Sequence, residues 1–344
     1  MRKVLFLILA ASLFTASCSA GPERFQTDFI DLFDTYTVVM GYAESEAAFN
    51  EYARAVYEKL SESHKLFDIY HEYPGINNLK TVNDSAGIAP VAVSGEIIEL
   101  LEFSRAICGE TDGAVNVALG PVLKIWHEYR EKGLENPKNA ALPSAGELAA
   151  AAANTDINDV IIDAAAGTVF LRKPGMSLDA GASAKGYAAQ KALEAALAAG
   201  AGDILISVGG NVVCAGGPPG GGLWNVGIQD PNDPESLVDT VRVTDTSVVS
   251  SGAYQRFYTV GGKKYGHIID PETLFPAERY AGVTVIAGDS AIADALSTAL
   301  FILPLDGGKA LAAKYGAAAV WVYTDGKTET TGDYKAISAG LNGD

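Results

Sequence analysis

The stretch AKGYAAQKALEAALAAGAGDILISVGGNVVCA, residues 184–215, joins a helix pattern to a strand pattern. Its alanine-rich first part predicts a helix from Ala184 to Ala199, and Gly200 supplies a common end signal. Its second part, Asp203 to Ala215, is rich in branched aliphatic residues and predicts strand structure. A helix followed so closely by strand sequence indicates a core in which helices pack against a sheet.

The flanking sequence repeats both patterns without a strict alternation of strand and helix. Helices are predicted at Glu44–Phe67, from Ser94 to Gly109, from Pro121 to Tyr129, after Ser144 in a capping box with Glu147, and from Asp289 to Pro304. Strands are predicted at Thr35–Ala43, Val160–Asp163, Thr168–Lys173, Met176–Asp179, Leu223–Ile228, Leu237–Val243, Gln255–Val260 and around an Asp325-Gly326 turn. Irregular mixing of this kind predicts an α+β fold rather than a doubly wound parallel sheet.

The composition excludes several classes of protein. Of the 344 residues, 48% are hydrophobic and 19% are charged, which is typical of a chain that buries a large core. The formal net charge is -17, whereas a nucleic-acid-binding protein normally carries a basic face. We therefore expect no nucleic-acid partner. We also expect any phosphate ligand to be held locally, by backbone amides, lysines or a divalent cation.

The N-terminus has the features of an export signal. Met1-Arg2-Lys3 precedes an apolar run from Val4 to Ala16 that is too short to span a bilayer. Small residues then precede Cys18, as in a bacterial lipobox, so we expect Cys18 to become the lipidated first residue of the mature protein. A plain secretory signal cut near Ala20 is the alternative.

These features predict three segments along the chain. They are a lipoprotein signal peptide at 1–17, a lipid-anchored tether at 18–32 and a folded domain at 33–344. The mature protein would then be held to a membrane of the bacterial cell envelope by its lipid and would face the periplasm.

Generic motifs indicate no function. The segment from Gly181 to Gly186 lacks the second glycine and the Ser/Thr of a Walker loop, and no Gly-x-Gly-x-x-Gly opens a helix after a strand. Gly-x-Ser-x-Gly and His-Glu-x-x-His are also absent. If the signal segment is removed, Cys108 and Cys214 remain, and we expect both to be buried free thiols.

Four segments in a fixed order carry a family resemblance. They are Leu178-Asp-Ala-Gly-Ala-Ser-Ala-Lys-Gly-Tyr-Ala188, Ser207-Val-Gly-Gly-Asn211, Ser251-Gly-Ala-Tyr-Gln-Arg256 with Tyr265-Gly-His-Ile-Ile-Asp-Pro271, and Ala293-Asp-Ala-Leu-Ser-Thr-Ala-Leu300. Further matching pieces are Met40-Gly41, Thr111-Asp-Gly-Ala-Val-Asn116 and Trp224-Asn-Val-Gly-Ile-Gln-Asp-Pro231. Together they resemble the ApbE family of FAD:protein FMN transferases, from about Phe33 to Ala318.

The resemblance implies a two-lobed fold with an FAD and Mg²⁺ site in the cleft between the lobes. Members of the family transfer FMN from FAD to a Ser or Thr of exported redox proteins, through a phosphoester bond, and release AMP. FAD is then the substrate, Mg²⁺ the cofactor and an exported flavoprotein the acceptor. Hydrolysis of FAD to FMN and AMP is one alternative activity. A lipoprotein that only binds flavin is a second alternative, of a different class.

The resemblance also implies a metal site on the helix that starts at Ser290. Asp294 and Thr298 are four residues apart and share a helix face, and a backbone carbonyl at Ala182 completes the family's ligand set. We expect this pair to face away from the core, because an apolar stripe occupies another face of the helix, at Ile292, Leu296, Leu300 and Leu303. Without the resemblance, a bond from Thr298 to the Asp294 carbonyl would be the simpler explanation of the pair.

The remaining site residues are implied as flavin ligands. They are Met40, Tyr70, Ala114, Val115, Asn116, Asp179, Lys185, His267 and Ile268. Lys185 opposes the dipole of its own helix, which is reasonable where an anion shares the helix N-terminus. His267 and Asp294 are the expected catalytic residues. The histidine would act as general base on the acceptor hydroxyl, since its ordinary pKa of about 6.5 suits that role.

The chain departs from the family pattern at several positions. Gly266-His267 stands where many members have two histidines, and Glu272-Thr273-Leu274 replaces an Arg-Thr-Gly sequence. Asn116 and Ala253 occupy positions that are often acidic. The implied metal ligands are unaffected, so the departures concern reaction rate, substrate selectivity and the binding of the flavin ring.

Overall fold

The computed structural model describes residues 21–254 and 256–340. Its strands are β1 (Glu23–Leu32), β2 (Thr35–Ala43), β3 (Val91–Ala92), β4 (Val160–Asp163), β5 (Thr168–Leu171), β6 (Asp203–Val208), β7 (Asn211–Ala215), β8 (Trp224–Gln229), β9 (Leu237–Val243), β10 (Thr246–Gly252), β11 (Phe257–Val260), β12 (Lys263–Gly266), β13 (Gly282–Ala287), β14 (Ala318–Val322) and β15 (Thr328–Thr330). Its α-helices are α1 (Glu46–Phe67), α2 (Leu79–Asp84), α3 (Gly95–Glu110), α4 (Gly120–Glu135), α5 (Ala145–Ala152), α6 (Ala184–Ala198), α7 (Ser290–Ile302) and α8 (Leu305–Lys314).

An eight-stranded sheet forms the centre of the fold, with the strand order β1-β2-β6-β7-β10-β13-β14-β15. Every neighbouring pair in it is antiparallel. Two two-stranded hairpins, β8-β9 and β11-β12, and a three-stranded sheet, β3-β5-β4, lie outside it. The predicted α+β fold is confirmed, since helices accompany an antiparallel sheet instead of connecting parallel strands.

The two faces of the central sheet are covered differently. Helices α1, α6 and α7 pack on one face and bury Val39, Ile206 and Val285 of the strands. The β8-β9 hairpin and the C-terminal segment cover the other face, around Trp224 and Tyr334. Because strand residues alternate between faces, a single step along β2 or β6 moves a side chain from the helical layer to the hairpin layer.

Several predicted helices begin at a side-chain cap, which was expected at Ser94, Ser144 and Asp289 and not at Ser45. The side chains of Ser45, Ser94 and Ser144 each accept a hydrogen bond from the backbone amide three residues further on. Asp289 caps α7 in the same way, through the amide of Ile292 at 3.0 Å. These caps satisfy amides that would otherwise lack a partner in the first helical turn.

None of the helices in the described part of the chain combines the length and the apolar character needed to cross a bilayer.

The predicted tether is wrong from Glu23 onward, because β1 occupies residues 23–32 at the edge of the sheet. Alternate residues of β1 turn inward, and the ring of Phe25 stacks on Phe49 with 5.6 Å between the ring centroids. Two inward aromatic side chains, Phe25 and Phe29, pack against the core and stabilise this edge strand. The polar residues between them made the segment resemble a tether in the sequence. Residues 1–20, with the predicted signal peptide and Cys18, lie outside the described residues.

The strand predicted at Met176–Asp179 is also wrong, since this segment runs extended without a neighbouring strand. The side-chain amide of Asn83 takes the place of that neighbour. Its Oδ1 accepts from the Leu178 amide at 2.6 Å, and its Nδ2 donates to the Leu178 carbonyl at 3.0 Å. The loop that leads into α6 is therefore held in place by one buried amide pair.

Helices α6 and α7 cross at Gly186 with almost no space between them. A Cβ atom on Gly186 would lie 2.3 Å from the Ser290 carbonyl oxygen and 2.4 Å from the Asp294 Cβ. Both neighbours belong to a buried helix, so neither can move aside cheaply. The absence of a side chain at Gly186 is what allows the two helices to pack at this distance.

We predict that Gly186→Ala destabilises the protein by about 1–3 kcal/mol, because the added methyl group forces α6 and α7 apart. The free energy of unfolding in urea measures this loss. Gly202→Ala is the matched control, since a Cβ there meets nothing within 4 Å. Equal stability of the two variants would contradict the close packing described for Gly186.

Candidate functional site

Hydrogen bonds at the α6–α7 contact bring all four sequence segments together. The Gly186 amide of the first segment donates to Asp294 Oδ2 of the fourth at 2.8 Å. The Lys185 ammonium, also in the first segment, reaches Asn211 Oδ1 of the second at 3.5 Å. The Ser251 hydroxyl of the third lies 3.4 Å from the hydroxyl of Thr298. Segments that are far apart in the chain therefore meet around the start of α6.

The expectation that Asp294 faces away from the core is wrong. Its side chain is only 3% exposed, and α7 is buried on nearly all sides, between α6 and strands β10 and β13. Ile292 is partly exposed but packs, as predicted, against the cluster that contains Leu296 and Leu300. A burial of this kind escapes helical periodicity, because a helix enclosed by two layers has no single solvent face.

The surroundings of Asp294 fit a divalent cation. The Gly186 amide donates to the carboxylate instead of to the Ala182 carbonyl four residues earlier, and no hydrogen bond reaches that carbonyl from the residues that the structure describes. Among the described residues, the Thr298 hydroxyl also does not donate to the Asp294 carbonyl, which was the simpler explanation of the pair. The Ser297 hydroxyl donates to that carbonyl instead, at 2.8 Å. A carboxylate, a carbonyl and a hydroxyl are hard oxygen donors of the type that Mg²⁺ prefers.

A buried carboxylate with one amide donor has an incomplete electrostatic partner. Burying an ionised group is costly unless an opposite charge or several hydrogen bonds accompany it. Within residues 21–254 and 256–340, no group of three or more His, Cys, Asp and Glu side chains forms a metal-binding cluster. A cation here would therefore depend on Asp294 for charge, and on Thr298, Ala182 and water for its other ligands.

The N-terminus of α6 lacks the usual side-chain cap. Ser183 is in the cap position but its hydroxyl accepts no bond from the helix. Lys185, in the first turn as predicted, is half-buried beside Asn211. The Asn211 side-chain nitrogen is buried and has no partner among the described residues. The Ala184 amide donates to the Ala180 carbonyl and the Gly186 amide to Asp294, so in the first turn the Lys185 amide alone has no partner among the described residues. This amide and the Lys185 ammonium, at one helix end, are suited to an anionic ligand.

His267 follows β12 in a bend, beside several positive charges. Its Nδ1 lies 3.3 Å from the Arg256 carbonyl, which can only accept, so Nδ1 carries the proton and Nε2 is free. Burial, followed by the charges of Arg256, Arg130 and Lys185, lowers the pKa of His267 from 6.5 to about 4. The imidazole is therefore neutral at pH 7 and has an unprotonated nitrogen available.

Tyr70 and Asp179 border the same region. The Tyr70 side chain is 56% exposed, and its ring lies 5.6 Å from the ring of His127 with a 36° angle between the planes. Asp179 Oδ1 accepts from the Gly181 amide at 2.9 Å and so shapes the loop before α6. Burial raises the pKa of Asp179, against the opposing effects of the Gly181 amide and of His127.

The residues predicted around position 115 have side chains that are packed or hydrogen-bonded within the protein. Val115 and Ile268 are buried in the same hydrophobic cluster as α7, and Ala114 and Ala182 pack against that cluster. The Asn116 side chain caps a short 3₁₀ helix through the Ala118 amide at 2.9 Å and donates to the Thr155 carbonyl at 2.9 Å. Its polar atoms are thus engaged within the protein.

Comparisons with known proteins identify the family of this chain. The model of the ApbE family matches residues 33–321. The chain belongs to the ApbE family. An FAD:protein FMN transferase of Treponema pallidum is 37% identical over 265 residues, which are 72% of this chain and 71% of that protein. One from Klebsiella pneumoniae is 35% identical over 229 residues, 66% of this chain and 68% of that protein.

The ApbE fold is confirmed by solved structures. The crystal structure of the ApbE protein of Thermotoga maritima matches with a TM-score of 0.82 and 27% identity, covering 92% of this chain and all of that one (100%). The apo form of the Pseudomonas stutzeri flavinyl transferase ApbE matches with a TM-score of 0.76 and 25% identity, covering 93% and 98%.

One predicted ligand of this ApbE protein lies apart from the others. Met40 pairs with Leu205 on the neighbouring strand, and both pack in the hairpin layer, on the face opposite to α6 and α7. The Met40 sulfur meets the exposed Arg24 side chain at 3.2 Å. A side-chain contact between Met40 and a ligand at Asp294 would have to cross the sheet, so the structure does not support that prediction. Gln255, in the third segment, lies outside the described residues.

Three polar residues of the site were missed by the sequence analysis. Arg130 and His127 on α4 are joined by a 2.8 Å contact between the guanidinium and Nδ1. Arg256 supplies both a carbonyl and a charge to His267. The i, i+3 spacing of His127 and Arg130 on α4 is that of any amphipathic helix and does not mark a site. In this acidic chain, the scarcity of positive residues was the one sequence feature that could have pointed to them.

We predict that His267 titrates near pH 4 in the ligand-free protein and that Arg256→Ala raises its pKa toward 6.5. The unfolded chain binds this proton more readily than the folded protein, so His267 lowers stability as the pH falls from 6.5 to about 4. A histidine NMR titration measures both values. Arg24→Ala, far from the site, serves as the control, and an unshifted pKa for His267 would contradict the described environment.

Proposed function

We propose that this protein is an Mg²⁺-dependent FAD:protein FMN transferase. The hydrogen bond from the Gly186 amide to Asp294, which places a buried carboxylate beside Lys185 at the start of α6, is the observation that carries the proposal. This arrangement provides an oxygen ligand for a cation and a positive charge for a dinucleotide. The names of the relatives from Treponema and Klebsiella support the same reaction.

The acidic and neutral oxygen ligands would bind the cation, and the positively charged groups would bind the phosphates. Asp294, Thr298 and Ala182 would hold Mg²⁺, which when bound offsets negative charge on phosphate oxygens. The ammonium group and the backbone amide of Lys185, at the start of α6, would bind the diphosphate of FAD. Tyr70 supplies a half-exposed ring that can stack on an aromatic part of the ligand and limit the access of water.

Transfer needs one proton acceptor, and His267 fits that role. The hydroxyl oxygen of an acceptor Ser or Thr forms a bond to the phosphorus of the FMN half, while the bond from that phosphorus to the bridging oxygen breaks. AMP leaves with the bridging oxygen. The hydroxyl proton passes to Nε2 of His267, whose Nδ1 proton is fixed on the Arg256 carbonyl.

Location follows from the N-terminal sequence. The charged start, the short apolar run and Cys18 support export and lipid anchoring to the cell envelope, where exported acceptor proteins occur. With β1 beginning at Glu23, a lipid on Cys18 would leave only a short spacer between the membrane and the folded domain.

The decisive experiment measures the mass of an acceptor protein after incubation with this protein, FAD and Mg²⁺. We expect an increase equal to one FMN, minus water, on a Ser or Thr, together with free AMP. Free FMN and AMP without modified acceptor would assign hydrolysis instead. Bound FAD that stays intact with Mg²⁺ would indicate a flavin-binding protein and reject both enzymatic functions.

We predict that Asp294→Asn lowers turnover by at least roughly 100-fold and removes its dependence on Mg²⁺. Asparagine keeps an oxygen for the Gly186 amide, so the fold is retained while the charge is lost. Asp289→Asn is the matched control on the same helix, because asparagine caps a helix as well as aspartate does. Turnover of the Asp294 variant is measured for FMN transfer and for FAD hydrolysis. Unchanged turnover in both reactions would show that the cation binds elsewhere.

A further inference from the structure

Helix α4 carries a polar pair that none of the sequence segments includes. Arg130 donates to Nδ1 of His127 at 2.8 Å, so the remaining proton of the neutral ring lies on Nε2. The ring of His127 in turn lies against Tyr70, with 5.6 Å between centroids. Tyr70, His127 and Arg130 thus form a continuous row, which we call the α4 row.

The charge of Arg130 acts on other parts of the site. It is one of the charges that lower the pKa of His267, and it opposes the burial that raises the pKa of Tyr70. Arg130 therefore lies near both the stacking residue and the proposed base, although it comes from a different element than Lys185 or Arg256.

Arg130 has no adequate counter-charge in the protein. Its side chain is only 18% exposed, and its one ion pair, at 3.3 Å, is with its chain neighbour Glu131, whose side chain is 52% exposed and screened by water. Lys185 and Arg256 form no ion pair among the residues that the structure describes. In a chain of net charge -17, positive groups left without acidic partners at one place indicate an anionic ligand.

We propose that Arg130, oriented by His127, is a further ligand of the diphosphate of FAD. This rests on the proposed function, since it takes FAD as the substrate. A guanidinium can donate two parallel hydrogen bonds to phosphate oxygens and stays charged at any working pH. The AMP phosphate gains negative charge when the bridging bond breaks, so Arg130 stabilises the leaving group as well as the bound substrate.

The test compares FAD affinity across variants, without Mg²⁺ so that no turnover occurs, by quenching of flavin fluorescence. Arg130→Ala is expected to raise Kd roughly tenfold or more, because a hydrogen bond to a charged group is lost. Arg130→Lys should restore part of the affinity. Lys132→Ala is the matched control, since it removes one positive charge from the same helix at a side chain that is 72% exposed.

Two further measurements separate ligand contact from a structural role. The salt dependence of Kd should become weaker in Arg130→Ala, because one ionic contact is missing. His127→Ala should reduce affinity less, and the double variant should bind no worse than Arg130→Ala, as expected for residues that act through one contact. Wild-type affinity in Arg130→Ala would overturn the proposal, and so would a loss with unchanged salt dependence. Failure of the wild type to bind FAD both without and with Mg²⁺ would instead reject the proposed function.

Discussion

The site depends on the contact between the Gly186 amide and the Asp294 carboxylate. This bond at 2.8 Å crosses two buried helices, and it forms only because Gly186 has no side chain to hold them apart. Gly186 lies in the first turn of α6, where backbone amides have no partner within the helix, and Asp294 accepts from this one. The amide therefore holds the Asp294 carboxylate at the start of α6, and a Cβ at position 186 would disturb that position.

The contact satisfies only part of what the Asp294 carboxylate loses on burial. Asp294 is 3% exposed, and one amide does not replace the solvation that the carboxylate loses on burial. A bound cation would supply the opposite charge that this carboxylate lacks in the protein. Burial serves binding in a second way, because charges interact more strongly where water is excluded.

The sequence predicted local structure better than it predicted contacts between elements. Ser94 and Ser144 gave the right helix starts because a cap is a short-range signal, and β2 was placed at its observed limits. β13 was not predicted, since its fully buried apolar run has no alternation to distinguish it. The motifs indicated which segments meet but not their orientation.

The wrong expectations for Met40 and Asp294, and the missed Arg130 and His127, also come from contacts between elements that local patterns do not encode. Alternation in β2 divides its residues between two faces, but only the packing of α6 and the β8-β9 hairpin decides which face Met40 joins. Periodicity in α7 marks one apolar stripe, yet helices on one side and strands on the other bury Asp294 too. Arg130 and His127 lie on a helix of ordinary amphipathic pattern, and their role depends on Tyr70, more than fifty positions earlier in the chain.

The charges around His267 link substrate binding to proton transfer. In the ligand-free protein, positive neighbours keep the imidazole neutral by lowering its pKa to about 4, which makes it a ready but weak base. If FAD binds here as proposed, the negative charge of its diphosphate would offset these positive charges and raise the affinity of Nε2 for a proton. Departure of AMP would remove part of that negative charge and favour release of the proton. Under this proposal the bound substrate, by offsetting the neighbouring cations, makes His267 a stronger base than it is in the ligand-free protein.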